Sequence, residues 1–110
     1  MRPILVLALL LPVHALALSP EAREFMQINK DLEKVQCEKR QLRRQIALAE
    51  IEKRDSKPLH QRFAQLNRDP KTAKLEKRLG ELQPRLSKSA DPEDLPAINR
   101  QRVEAFYRCE

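Results

Sequence analysis

A chain of 110 residues with a single glycine, Gly80, has almost no freedom to build sheets. Tight hairpins and bulges rely on glycine for positive backbone angles, whereas helices need few glycines. The remaining composition is rich in Lys, Arg, Glu, Gln, Leu and Ala, the residues that lose least on entering a helix. The sequence therefore predicts an all-α protein.

Residues 1–17 differ in kind from the rest. Met1, Arg2 and Pro3 make a short positive start, residues 4–13 are an almost unbroken apolar run, and Ala15, Leu16 and Ala17 supply a small-x-small cleavage pattern. The run is shorter than the roughly 20 residues needed to span a bilayer, so it reads as a cleaved signal peptide. The expected mature chain, 18–110, is one small domain, periplasmic in a Gram-negative bacterium or secreted. A domain of that size buries a modest share of its surface and is marginal without a cross-link.

Helix punctuation is clear. Ser19, Pro20 and Glu21 read as an N-cap, a first helical residue and a first-turn acid. No proline or glycine follows until Pro58, and Phe25, Ile28, Leu32, Val35, Leu42, Ile46 and Ala49 recur at spacings of three and four, with Lys39 as the polar interruption. One long helix over 20–54 is predicted. A second stripe, Met26, Cys37, Leu48 and Ile51, lies more than a quarter turn away and predicts a second neighbour on that side.

Leu59, Phe63 and Leu66 predict a short helix over 57–67, and Asp69 with Pro70 starts another over 70–86 with Leu75, Leu79, Leu82 and Leu86 as its seam. Pro84 interrupts that seam and presses on the carbonyl of Gly80, which predicts a kink or an end near Gln83. A last helix over 96–108 carries Ile98, Val103 and Phe106. The architecture expected is a small elongated helical bundle or helical hairpin with one long N-terminal helix.

Two cysteines, Cys37 and Cys109, permit one intramolecular connectivity, and an oxidising compartment makes it the default. Closing so long a loop contributes on the order of 4 kcal/mol in the chain-entropy account, comparable with the whole net stability of a small domain. The bond would fasten the last helix to the second stripe of the first. Nothing resembles a C-x-x-C redox pair, and the two cysteines with His60 lack the spacing of a metal site.

The net charge of +6 is concentrated in two clusters, Lys39, Arg40, Arg43 and Arg44, then Lys71, Lys74, Lys77 and Arg78, which are the candidate anion-binding residues. The alternative is a solvated helix face of mixed charge. Beyond His14 in the leader, His60 is the sole imidazole, so no nucleophile and base set can be assembled. One glycine excludes a phosphate-cradling loop. The chain is expected to be no enzyme and to need no cofactor or metal.

The leading expectation is an exported accessory or adaptor of the cell envelope acting through protein-protein binding, with homo-oligomerisation through the first helix as a further possibility. The alternatives are a basic binder of anionic envelope polymer or membrane surface, and a chaperone-like holder of exported proteins. Export makes nucleic acid an unexpected partner.

Overall fold

The structure, a computed structural model, describes residues 18–89 and 91–109, so the predicted signal segment 1–17 lies outside the described residues. Among the described residues five helices follow in order: α1 (Pro20–Asp31), α2 (Glu33–Ile51), α3 (Lys57–Arg68), α4 (Pro70–Ser87) and α5 (Asp94–Arg108). The all-α class is as predicted, and the bundle is elongated.

The helix starts follow the local chemistry. Ser19 is extended (φ −67°, ψ 157°), and its Oγ accepts a hydrogen bond from the Ala22 N–H at 3.1 Å ahead of Pro20 in the first turn of α1. Asp69 repeats the device on α4, accepting from the Thr72 N–H at 2.9 Å, and those bonds hold its carboxyl below the usual aspartate value. α4 continues through Pro84 to Ser87 instead of ending near Gln83. The carbonyl partner it deprives belongs to Gly80, which is exposed and has open space where a side chain would stand.

The single helix predicted over 20–54 is corrected on two counts. It is divided at Leu32 (φ −93°, ψ −1°), and it ends at Ile51. No proline or glycine lies near the joint, so the cause is tertiary. Leu32 is 2 % exposed and locked into the core, while Gln101 of α5 donates through Nε2 to the Met26 carbonyl at 2.7 Å. A side chain that draws on a helical carbonyl bends the helix that owns it. The Leu32 N–H still reaches the Ile28 carbonyl at 2.9 Å and Gln36 N–H still reaches the Leu32 carbonyl, so helical hydrogen bonding continues across the joint.

α2 ends in a Schellman arrangement, with Arg54 N–H bonded to the Ala49 carbonyl at 2.8 Å and Lys53 N–H to the Glu50 carbonyl at 3.3 Å. Lys53 occupies the left-handed position at φ 57°, where glycine is the usual resident.

Packing follows an up-down-up course. α3 returns along α2, α4 runs back along α1, and α5 lies on both α1 and α4. Ala22, Ile28 and Leu32 meet Leu82, Leu86 and Ile98 in the central core, with Phe25, Met26, Leu75 and Leu79 packed around it. Leu42 and Ala49 of α2 and Leu66 of α3 are buried farther along, so the first-helix seam is covered within one chain.

Lys39, the polar break in that seam, is 8 % exposed and stays inside. Its Nζ stands 3.1 Å from Glu76 Oε2 and 5.9 Å from the centre of the Phe63 ring, tying α2 to α4 beside α3. A charge at one seam position fixes register, because sliding the helices would strand it.

α5 lies parallel to α1 and α2 in one register. Asp94 meets Ser19, Gln101 meets Met26 and Arg108 meets Glu33, each pair 75 residues apart in sequence, so the ties recur once per heptad on both sides. α5 begins at Asp94, earlier than the predicted 96, because that carboxylate is a structural centre. It is fully buried, and it accepts from Ser19 N–H at 3.0 Å, Ser19 Oγ at 2.7 Å and Ser89 Oγ at 2.8 Å. Burial works to raise its pKa, yet the three donors together hold it below the ordinary aspartate value.

Two stability predictions result. Glu76→Ala, which leaves a buried ammonium without its counter-charge, should lower the unfolding free energy by about 1–2 kcal/mol after allowance for partial solvent screening, whereas Lys39→Met should change it by less than about 1 kcal/mol. Urea denaturation of the oxidised protein measures both. Asp94→Asn should cost about 1.5–3 kcal/mol at pH 7. Because the folded carboxyl is depressed, its contribution is present above the unfolded value of roughly 3.9 and disappears as pH falls through the folded value, so the gap between Asn variant and parent should narrow at acid pH.

Candidate functional site

α5 is fastened at both ends and tied once between them, by Gln101 to the Met26 carbonyl. Asp94 and the buried Ile98 hold its start. Its end is held by the Cys37–Cys109 disulfide, with a Cα–Cα distance of 5.5 Å, and by Arg108, whose Nε and Nη2 each lie 2.9 Å from a carboxylate oxygen of Glu33. The predicted disulfide is present, and it falls on the second stripe of the first-helix segment. The farther members of that stripe, Leu48 and Ile51, are exposed.

Between those fastenings a groove of about 610 Å³ opens among α1, α2, α4 and α5. Its apolar walls include Phe25 and Leu79 on one side and Val103 and Phe106 on the other. Val103, Phe106 and Tyr107 are 54 %, 54 % and 74 % exposed, so the predicted apolar sector of the last helix is buried only at Ile98. Phe106 and Tyr107 stand edge to face, with ring centres 5.6 Å apart.

Three polar atoms of residues lining this groove are buried and have no hydrogen-bond partner among the described residues: Asn29 Nδ2, Arg40 Nη1 and Gln101 Oε1. Buried polar groups are nearly always satisfied, and leaving one unmade costs about 1–3 kcal/mol. The orientation of Gln101 is settled by its neighbour, since the Met26 carbonyl can only accept, so Nε2 faces it and Oε1 is the end without a partner.

The electrostatics of the groove are positive. Arg108 occupies both oxygens of Glu33 and holds that carboxyl below the usual glutamate value. Arg40 and Arg102 line the same groove, and neither forms an ion pair among the described residues. The guanidinium carbon of Arg40 lies 4.8 Å from the centre of the Phe106 ring, a cation-π contact.

The eight candidate anion-binding residues fare differently. Lys39 is buried against Glu76, and Arg78 is forked onto Glu24 at 2.7 and 2.9 Å with Glu81 beside it, an arrangement that raises the arginine pKa and lowers that of Glu24. Arg40 lies in the groove, and Arg43 sits 5.8 Å from the Phe63 ring. Arg43, Arg44, Lys71, Lys74 and Lys77 remain exposed to solvent on α2 and α4. His60 is an exposed residue on α3, with Nε2 3.5 Å from Glu50 Oε2.

Among the described residues no group of three His, Cys, Asp or Glu side chains is placed to hold a metal, and no helix is long and apolar enough to cross a membrane. Asn29 and Gln101 were not legible as site residues. Gln101 carried one usable signal, an amide in the apolar sector between Ile98 and Phe106.

Reduction, or Cys109→Ser, should release the end of α5 before its start. Hydrogen exchange should accelerate over Val103–Arg108 while Ile98 stays protected by the Asp94 cluster, with a total loss of at most about 4 kcal/mol. Comparison with protein-family models, curated proteins and solved structures finds no match for this chain.

Proposed function

We propose that this chain is an exported, non-catalytic binding protein, an accessory or adaptor of the cell envelope that holds a partner polypeptide in the groove under α5. The observation that carries the reading is that three residues lining one half-apolar groove each keep a buried polar atom without a partner among the described residues. A few fixed polar groups set into apolar walls is the ordinary make-up of a recognition site, and the volume lies inside the roughly 300–1,000 Å³ of ligand pockets. Phe106 and Tyr107 at the mouth are the kind of aromatic side chain that anchors protein interfaces. Export rests on the signal pattern of residues 1–17, and the disulfide agrees with an oxidising compartment.

A second reading is supported by the exposed Arg43, Arg44, Lys71, Lys74 and Lys77, which suit an anionic polymer or membrane surface. The two readings differ in their response to salt. With the oxidised protein as bait in envelope extract, capture through the groove should persist from low to physiological ionic strength and fall at least about tenfold in Phe106→Ala with Tyr107→Ala. Capture that disappears with salt and ignores those substitutions would instead assign binding to the basic helix faces.

A further inference from the structure

The groove's unmade bonds specify their complement. Arg40 Nη1 has no partner and no acid among the described residues pairs with Arg40, whose planar guanidinium matches a carboxylate with two parallel bonds. The one acid that lines the groove among the described residues, Glu33, is already neutralised by Arg108 and does not repel a second anion. Asn29 Nδ2 adds a neutral donor that seeks a carbonyl oxygen, and Gln101 Oε1 is an acceptor that seeks an N–H. Phe25, Leu79, Val103 and Phe106 line the space between them with apolar surface.

These four demands exclude the simpler anions. Inorganic phosphate has no apolar body to fill the walls, and a fatty acid satisfies Arg40 and the walls but brings no N–H for Gln101. The last residues of a polypeptide bring all four: a terminal carboxylate, an amide carbonyl, an amide N–H and an apolar side chain. Resting on the groove reading above, we propose that the groove captures the C-terminal end of a partner polypeptide, with the terminal carboxylate on Arg40 and an apolar last side chain between α1 and α5. Phe106, half exposed and stacked on the Arg40 guanidinium, contributes apolar surface beside the carboxylate position. Arg102 at the groove wall adds attraction without a fixed contact.

The test uses the oxidised full chain at physiological ionic strength and two N-terminally labelled pentapeptides of one apolar sequence ending in phenylalanine, one with a free C-terminal carboxylate and one amidated. Fluorescence anisotropy should show the free acid binding at least about tenfold more tightly than the amide. Arg40→Gln should bring the acid down to the level of the amide while leaving amide binding intact, and Arg40→Lys should restore part of the preference. Non-reducing gels and circular dichroism establish that the variants keep the disulfide and the helices. Equal binding of acid and amide to the parent, or a preference that survives Arg40→Gln, would overturn carboxylate capture yet leave the groove as a polypeptide site. Dodecanoate displacing the peptide more strongly than free-acid peptide does would assign the site to an acyl chain and overturn the peptide proposal. Failure of both peptides to bind would also overturn it, while the Phe106 and Tyr107 capture experiment would still decide the groove reading by itself.

Discussion

Two fastenings of opposite character fix the last helix, and the form of the protein depends on both. At one end a fully buried carboxylate, Asp94, gathers three donors around itself. At the other a covalent bond joins Cys109 to Cys37. The carboxylate fixes position and register through directional bonds, whereas the disulfide mainly limits how far the unfolded chain can stray. With its ends so held, α5 need not bury its whole apolar sector to remain in place. That surplus is why Val103 and Phe106 can line an open groove in a molecule whose core is thin.

Charge organises the helices more than it stabilises them. Three glutamate-arginine forks join successive neighbours: Glu38 with Arg62 links α2 to α3, Glu24 with Arg78 links α1 to α4, and Glu33 with Arg108 links α2 to α5. Each arginine holds its glutamate below the usual carboxyl value. The partners are substantially exposed, so solvent screens them and their contribution to stability is small. Their geometry is what matters, because a two-point fork is satisfied in one register only. In a bundle of leucines and alanines that could slide, these pairs and the buried Lys39 select one alignment.

Much of this was legible in the residues. One glycine announced helices, and Ser19 and Asp69 marked two helix starts through cap chemistry that acts within a single turn. The three-and-four spacing of Ile28, Leu32, Leu42 and Ala49 named the buried face, and two cysteines allowed one bond. What escaped depends on distant partners. The joint at Leu32 has no local breaker and arises from the core and from Gln101, far along the chain. Asp94 gives no local signal of its role, because nothing nearby in sequence reveals that Ser19 closes over it. The groove was hidden for the same reason, since it is the space left when four helices meet, and its polar atoms are defined by the bonds they lack.

The 75-residue interval shared by the ties of α5 bears on the order in which the fold can be completed. A chain that emerges from its N-terminus presents Ser19, Met26 and Glu33 early, and each waits for a partner that appears 75 residues later. Cap formation and local helix growth proceed at once, but docking of the terminal helix has to overcome the closure entropy of nearly the entire domain. A product cut short before Asp94 would lack Ile98 against the central core and leave Cys37 without its mate. Such a fragment displays bare apolar surface and a lone thiol together, a combination by which quality-control proteases and oxidoreductases can tell an unfinished molecule from a finished one.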